Sequence, residues 1–294
     1  MINISKIYFQ LAEKKEFNSD IEKEYKLKKN SLKRLTGINK RYISGQKETS
    51  EKLAIKACKN LKKKEIKNLS HIISITNTPS IKFPGISNFI SSFLKKENVH
   101  CLNLNSGCTG YVDGLILAYE IIKNNKKSKI LIITSDTYSK FIKKNNRNIR
   151  PLFSDGASAS IIEYKKEGFK LKKKITINSN KSQNNLILNK TFIEMNGPAL
   201  VSFAIKNVIP ELAKTTKNAN TAYVHQAGKV VSNIIKNNLK NLFIPTNYGK
   251  YGNLVSTSIP VLIKENFNRF KKDKKIVICG FGVGLSMSLI QLTK

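Results

Sequence analysis

The sequence lacks tryptophan and is poor in histidine, cysteine and acidic residues. Its four cysteines have no regular spacing, which argues against a disulfide-stabilised scaffold and against a metal site built from paired cysteines. The longest apolar runs, such as residues 130–133, are far too short to cross a bilayer, and no apolar leader follows the first residues. We therefore predict a cytoplasmic protein with no bound metal and no membrane partner.

Acidic residues are scarce relative to basic ones, with 19 Asp and Glu against 53 Lys and Arg, for a formal net charge of +34. Such a charge favours nucleic acid or another anionic surface as a partner. However, the lysine runs at residues 62–64, 172–174 and 271–272 lie at the ends of apolar segments, as solvated rims do. Zinc-finger spacing, an aromatic RNA-binding pattern and a continuous basic arm are all missing. An acidic protein partner therefore explains the charge better than nucleic acid, which we do not expect to bind.

The order of apolar patterns predicts an α/β fold. Residues 50–62 follow a helical pattern with Ser50 as its cap, residues 71–76 a buried strand, 86–94 a helix, and 129–135 a further strand. The second half repeats this alternation, which predicts a mostly parallel sheet covered by helices. Its predicted elements are strands at 168–178, 222–225 and 275–280, and helices at 198–212, 230–239 and 259–267. We predict two similar halves, residues 1–165 and 166–294, with their seam within residues 151–174.

Cys108 lies in the segment LNLNSGCTG (residues 102–110), which predicts a strand, a sharp turn and the start of a helix. A thiol at a helix start lies near unpaired backbone N–H groups and the positive end of the helix dipole, which favour the thiolate. The same amides could bind the oxygen of a carbonyl that the sulfur attacks. An intracellular cysteine is more often a small buried hydrophobe, as we expect for Cys58, Cys101 and Cys279. The glycines on both sides of Cys108 favour the nucleophile instead.

Two further polar residues complete a possible reactive set. His225 ends a predicted strand just before a helix, where α/β proteins bind ligands, although a lone histidine is as often structural. Asn253 follows TNYGKYG (residues 246–252), which is also simply a turn rich in asparagine and glycine. An amide and a neutral imidazole together offer two donors for an enolate oxygen. Cysteine, histidine and asparagine also occur in papain-like proteases, but their cysteine lies in a tryptophan-containing motif, and this chain has no tryptophan.

Seven motifs in order resemble β-ketoacyl-acyl-carrier-protein synthase III of the thiolase superfamily, and they span nearly the whole chain. The motifs are TGINKR (36–41), NSGCTG (105–110), LFSDGA (152–157), MNG (195–197), HQA (225–227), YGN (251–253) and GFG (280–282).

The resemblance implies a five-layer αβαβα fold made of two pseudo-repeated halves, and a homodimer. It also implies an acyltransferase that forms an acyl-cysteine on Cys108 and condenses it with malonyl-acyl-carrier protein, with loss of carbon dioxide, to give a 3-oxoacyl-carrier protein. His225 and Asn253 would hold the enolate oxygen. No cofactor would be tightly bound, since the substrate carries its own phosphopantetheine thioester.

The resemblance further assigns the surroundings of Cys108. The backbone N–H groups of Cys108 and Val283 would form the oxyanion hole, with valine where the family usually has glycine. Phe281 would form a wall of the acyl pocket. Phe83 would reach from one subunit toward the acyl pocket of the other.

The chain departs from the family where coenzyme A is bound. Where the family has the tryptophan and the arginine of its coenzyme-A clamp, this sequence has Ser31 and Leu35. Where the family has two asparagines that contact pantetheine, this sequence has Pro198 and Gly228. A lost stacking or cation–π partner costs roughly 0.5–2 kcal/mol. We therefore expect both thioesters to arrive on acyl carrier protein, or an unusual primer.

The basic side chains that remain near this entrance are Arg147, Lys229 and Lys236, which we predict as rim contacts for the acidic carrier protein or its phosphopantetheine. Two alternatives stay open. The first is transfer of the acyl group from a carrier protein to an oxygen or nitrogen nucleophile. The second, more remote, is a basic nucleic-acid-binding protein with a degenerate enzyme fold. Because the coenzyme-A clamp is altered, we expect a condensing enzyme of a specialised pathway over one of ordinary fatty-acid initiation.

Overall fold

A computed structural model of the chain describes residues 1–189 and 191–294. Within them, thirteen strands form two large sheets and two small two-stranded sheets. The strands are β1 (Ile2–Leu11), β2 (Lys14–Phe17), β3 (Lys40–Ile43), β4 (His71–Ile75), β5 (His100–Leu104), β6 (Lys129–Asp136), β7 (Gly156–Tyr164), β8 (Lys170–Asn178), β9 (Leu186–Asn189), β10 (Phe192–Met195), β11 (Thr221–Val224), β12 (Lys275–Gly282) and β13 (Ser286–Thr293).

Eleven α-helices cover these sheets within the same residues. They are α1 (Asn18–Glu24), α2 (Ser31–Thr36), α3 (Ser50–Cys58), α4 (Ile86–Phe93), α5 (Gly110–Asn124), α6 (Gly197–Phe203), α7 (Ile209–Thr215), α8 (Lys229–Asn238), α9 (Tyr248–Tyr251), α10 (Ser258–Glu265) and α11 (Phe267–Lys272). A π-helical turn, Ala204–Val208, joins α6 to α7. The predicted helix at 198–212 is therefore part of a longer, interrupted one.

Both large sheets are mixed, so the prediction of a mostly parallel sheet is wrong. The first sheet has the order β1-β7-β6-β4-β5, in which β4 is parallel to β5 and β6 while β7 is antiparallel to β1 and β6. The second has the order β11-β12-β13-β8, and only β11 and β12 are parallel. The alternation of helices and strands correctly indicates the parallel pairs, but it does not reveal the antiparallel ones, most of which join strands that are far apart in the sequence.

The hydrophobic core divides into layers in the predicted order αβαβα. Helices α3 and α4 pack on one face of the first sheet, where Leu53 of α3 and Ile90 of α4 belong to the same apolar cluster as Ile133 of β6. Helices α5 and α10 lie between the two sheets, where Leu115 and Leu262 pack among strand residues of both. Helices α6 to α8 cover the outer face of the second sheet. Burying apolar area on four faces supplies the main stabilisation of such a fold.

The cap of α3 and the segment between the two halves differ from the prediction. Helix α3 is capped by Thr49, whose side chain accepts the Lys52 N–H at 3.3 Å, while the predicted cap Ser50 is buried and donates to the Thr78 carbonyl oxygen at 2.7 Å. Residues 151–174 are not a simple connection, because they contain β7, which lies inside the first sheet between β1 and β6. Among the residues described, no helix is both long and apolar enough to span a membrane.

Candidate active site

Cys108 lies where the sequence predicts it, in a tight turn between a strand and a helix. Strand β5 ends at Leu104, a 3-10 turn spans Gly107–Thr109, and α5 begins at Gly110. Gly107 has a positive φ of 51°, and a Cβ built there would lie 2.4 Å from the side-chain oxygen of Asn77. A Cβ at Gly282, at the end of β12, would lie 2.7 Å from Cys108 Sγ. Both glycines are therefore required for the chain to close around the sulfur.

Burial favours the protonated form of the Cys108 thiol. Its side chain is 3 % exposed, and burial raises the pKa of the thiol to about 12. The nearby carboxylate of Asp136 raises this pKa further, while backbone hydrogen bonds from Val283 and from Cys108 itself lower it. The backbone amides thus favour the thiolate, as predicted, but the loss of water on burial outweighs them.

His225 directly follows β11 and is fixed by its backbone. Its N–H donates to the Cys279 carbonyl oxygen at 2.9 Å, and its ring contacts Phe281 edge to face with centroids 5.6 Å apart. The side chain is 3 % exposed and burial lowers its pKa to about 3, so the imidazole is neutral at physiological pH. A neutral imidazole carries one N–H donor and one lone pair, and Nδ1 has no hydrogen-bond partner within the described residues.

The Asn253 side chain is oriented by its own loop. Its backbone N–H donates to the Leu152 carbonyl oxygen at 2.9 Å, and its carbonyl oxygen accepts the Ser154 N–H at 2.8 Å. The side-chain Oδ1 accepts the N–H of Val255 at 2.9 Å. Val255 is buried and has a φ of 52°, a costly conformation for a β-branched residue. Because Oδ1 is already bonded, the group that Asn253 offers to a ligand is the Nδ2 donor.

Cys108, His225 and Asn253 all line one cavity of about 990 Å³, as do Phe281 and Gly282. Its lining is predominantly apolar. At its mouth lie three exposed apolar side chains from α2, the π-helical turn and α8, with exposures of 62 % for Leu35, 48 % for Ile205 and 45 % for Val230. An apolar cavity with a few convergent polar groups is the usual form of a site for an acyl substrate.

Of the three basic residues predicted at the rim, only Lys229 is among those that line the cavity. Lys229 lines the cavity, and its Nζ donates to the Arg34 carbonyl oxygen at 3.1 Å. The guanidinium of Arg147 instead lies over the ring of Tyr25, 4.8 Å from its centroid, and Lys236 Nζ donates to Thr246 Oγ1 at 3.4 Å. Lys206, which the sequence interpretation missed, lines the cavity beside Ile205.

Of the two remaining predicted site residues, Val283 packs at the cysteine turn and Phe83 lies away from the cavity lining. Phe83 is 83 % exposed and is not among the residues that line the cavity of its own chain. Val283 directs Cγ2 toward Gly107, 3.1 Å from where a Cβ would lie there. Its side chain therefore packs on the cysteine turn, while its N–H faces the sulfur.

Two buried residues around the site were not predicted. Asp136 ends β6, and Val255 follows Asn253 by two positions. A polar run, Thr134-Ser135-Asp136, at the end of a buried apolar strand is the signal for Asp136, because such strand ends meet at a ligand-binding edge. No sequence signal marks Val255, since a positive φ is not expected of valine.

Comparisons with known proteins give a consistent result. A family model described as 3-oxoacyl-[acyl-carrier-protein (ACP)] synthase III matches residues 102–179, and the model of that family's C-terminal part matches residues 214–293. The chain is 30 % identical to the β-ketoacyl-[acyl-carrier-protein] synthase III of Clostridium novyi, over 92 % of this chain and 91 % of the relative. It is 29 % identical to synthase III 2 of Staphylococcus epidermidis over the same shares.

Solved structures confirm the predicted fold class. A crystal structure of a 3-oxoacyl-(acyl-carrier-protein) synthase III superposes with a TM-score of 0.91 at 22 % identity, covering 100 % of this chain and 99 % of the other. The corresponding enzyme of Aquifex aeolicus superposes with a TM-score of 0.88 at 24 % identity and covers 100 % of both chains. At these identities the superpositions establish the architecture of the chain.

Proposed function

The chain belongs to the 3-oxoacyl-[acyl-carrier-protein] synthase III family, and from this we propose that it condenses an acyl thioester with malonyl-acyl-carrier protein to form a 3-oxoacyl-carrier protein. The observation that carries the proposal is the convergence of Cys108, His225 and Asn253 on one apolar cavity. We assign these three side chains as the catalytic residues.

In the first half-reaction, Cys108 Sγ attacks the carbonyl carbon of the incoming acyl thioester. The new carbon–sulfur bond replaces the bond to phosphopantetheine, and the thiol proton leaves with the released phosphopantetheine thiol. Because burial favours the protonated thiol, the proton leaves Sγ as the carbon–sulfur bond forms and passes to the departing phosphopantetheine sulfur. The N–H groups of Cys108 and Val283 stabilise the oxyanion.

In the second half-reaction, the malonyl thioester loses carbon dioxide and leaves an enolate. An N–H of the neutral imidazole and Asn253 Nδ2 hydrogen-bond the enolate oxygen. The enolate carbon attacks the acyl-cysteine and expels the Cys108 thiolate, which takes a proton from solvent to restore the thiol. A histidine with its pKa lowered to about 3 suits this step, because it donates a hydrogen bond without transferring a full proton to the enolate.

Acyl carrier protein is the donor as well as the acceptor in this proposal. Leu35, a hydrophobic side chain, is exposed at the cavity mouth, and no guanidinium or aromatic ring lines that mouth for a nucleotide among the described residues. Lys206 and Lys229 lie at the same mouth and complement an acidic carrier protein. The reactive group of the substrate remains the phosphopantetheine thioester, and no tightly bound cofactor takes part in either step as we write it.

A homodimer also fits the chain. Strand β5 is an edge strand of the first sheet and leads directly into the Cys108 turn, and the exposed Phe83 lies in the loop between β4 and α4. An edge strand presents unpaired backbone groups that a second copy can pair with. We propose that pairing here brings Phe83 toward the partner's acyl pocket, which sedimentation equilibrium of wild type and Phe83→Asp would test through the measured mass.

The condensation is tested by incubating the protein with acyl-carrier protein and malonyl-carrier protein, and by measuring carbon dioxide and product length. We expect carbon dioxide release, a product longer by two carbons, and no reaction with Cys108→Ala. An acyl-enzyme without carbon dioxide release would instead support transfer to an oxygen or nitrogen nucleophile. A parallel series with acyl-coenzyme A tests the donor, since an equal or higher kcat/KM for coenzyme A would contradict carrier-protein priming.

A further inference from the structure

Asp136 is a buried carboxylate at the end of β6 that neither half-reaction uses. Its side chain is 0 % exposed and forms no ion pair with any cation in the described part of the chain. Burying a carboxylate without a cation is costly, and such groups normally persist where hydrogen bonds compensate. The hydrogen bonds of Asp136 run in two directions, toward the Cys108 turn and toward the Asn253 loop.

Toward the Cys108 turn, Asp136 acts through Asn77. Asp136 Oδ1 accepts the Asn77 N–H at 2.8 Å. The Asn77 side chain in turn lies against Gly107 and hydrogen-bonds the side chain of Asn105, and its Oδ1 accepts the Tyr138 hydroxyl at 3.0 Å. Asp136 thus holds the backbone of Asn77, and the Asn77 side chain packs against Gly107, the residue before Cys108.

Toward the Asn253 loop, Asp136 acts through Ser256. The Ser256 hydroxyl donates to Asp136 Oδ2, and Ser256 is buried. Ser256 follows Val255, whose N–H holds Asn253 Oδ1 at 2.9 Å and whose φ of 52° is costly for valine. A hydrogen bond to a charged group is stronger than one between neutral groups, and here it can hold the strained residue next to it.

We propose that Asp136 is a positioning residue that joins the cysteine turn of the first half to the asparagine loop of the second. This inference rests on the proposed condensation. Each oxygen of this carboxylate holds one loop, since Oδ1 accepts from Asn77 and Oδ2 from Ser256. The carboxylate can therefore hold Cys108 and Asn253 in register for the condensation. The charge of Asp136 also opposes ionisation of the Cys108 thiol, in addition to burial, which has the larger effect.

The charge of Asp136 is present at neutral pH. Burial raises the pKa of this carboxyl to about 6, while hydrogen bonds from Ser256 and Asn77 lower it and the charge of Asp155 raises it. The other titratable groups that feel its charge are the Cys108 thiol and the Tyr138 hydroxyl, and the charge raises the pKa of both. Removing the charge must therefore lower the pKa of Cys108.

The test measures the rate of Cys108 alkylation by iodoacetamide against pH, together with kcat for condensation. In Asp136→Asn we expect the alkylation profile to move to lower pH by roughly one unit, since a nearby like charge shifts a pKa by about 1–3 units. We expect kcat to fall by roughly tenfold or more, because misplacement by 1 Å can cost about a hundredfold. A merely structural role would lower kcat without moving the alkylation profile.

Two further variants separate charge from geometry. Ser256→Ala keeps the charge but removes the contact to the Asn253 loop, so we expect a lower kcat and an unchanged alkylation profile. Thr134→Val removes two other buried hydrogen bonds of β6, one between Thr134 Oγ1 and Thr257 Oγ1 of the same loop at 2.8 Å and one between Thr134 Oγ1 and Ser158 Oγ at 2.7 Å, and is the control for loss of a buried contact. We expect it to leave the alkylation profile in place and kcat within about threefold of wild type.

An unchanged alkylation profile and an unchanged kcat in Asp136→Asn would overturn the inference. If that variant fails to fold, an unchanged kcat in Ser256→Ala still overturns the positioning role. Alkylation needs no acyl substrate, so it remains informative if wild type fails to condense, an outcome that would contradict the proposed function instead.

Discussion

At the scale of single residues, the protonation of the site differs from what the sequence alone indicates. The motif around Cys108 correctly predicts the turn, because glycine and a following helix are local features. The protonation of the thiol depends on how much water the rest of the fold removes, and no local pattern encodes that. Cys108 and His225 are both neutral for the same reason, which is burial.

His225 should make the folded state sensitive to acid. Its pKa is lowered to about 3 from an ordinary value of 6.5, so its contribution to stability is present above pH 6.5 and is lost as the pH falls toward 3. In His225→Gln, which keeps a side-chain donor, we expect the free energy of unfolding to fall less between pH 6.5 and 4 than in wild type. Urea unfolding at a series of pH values measures this. Parallel losses in the two proteins would show that His225 does not carry the effect.

At the scale of elements, the sequence predicts those that have their own local signal. The helical patterns around α3, α4, α5, α8 and α10 and the apolar strands β4, β6 and β12 are found with shifts of a few residues at their ends. Strands β1, β7 and β13 were not predicted. The first part of β7, Gly156-Ala157-Ser158-Ala159-Ser160, has small side chains, and its neighbours β1 and β6 determine that it is a strand.

The end of β12 provides a test of close packing at the sulfur. A methyl group in Gly282→Ala would lie 2.7 Å from Cys108 Sγ, so the cysteine turn or the strand must move. We expect the rate of Cys108 acylation to fall by roughly a hundredfold, while the far-ultraviolet circular dichroism spectrum stays that of wild type. Gly45→Ala is the matched control, because a Cβ there has no atom within 4 Å. Acylation at the wild-type rate in Gly282→Ala would contradict the geometry described for the site.

At the scale of the whole molecule, the net charge of +34 is spread over much of the surface and does not by itself locate a partner. Among the residues predicted at the rim, Lys229 lines the cavity, whereas Arg147 stacks on Tyr25. Lys206, which was not predicted, lines the cavity as well. Sequence could not make this distinction, since it depends on how α2, the π-helical turn and α8 meet at the mouth. The division into halves at residues 165 and 166 remains a prediction.

The two mouth lysines should govern association with the carrier protein more than turnover. In the double variant Lys206→Glu and Lys229→Glu, we expect KM for acyl-carrier protein at low salt to rise by roughly tenfold with kcat unchanged, since reversing rim charges slows encounter. Raising the salt concentration should reduce the difference. Lys173→Glu, on the exposed edge strand β8, is the control and should behave as wild type. A rise in KM of the same size in the control would indicate a general charge effect instead of a docking site.

The central claim is that Cys108 carries the acyl group between an acyl-carrier protein and the malonyl-derived enolate. The most direct measurement is intact-protein and peptide mass spectrometry after incubation with a panel of acyl-carrier proteins, followed by addition of malonyl-carrier protein. We predict that the mass of the acyl group appears on the peptide containing Cys108, disappears when malonyl-carrier protein is added, and never appears in Cys108→Ala. Acylation of Cys58, Cys101 or Cys279 in place of Cys108, or an acyl-Cys108 that malonyl-carrier protein does not discharge, would contradict the account.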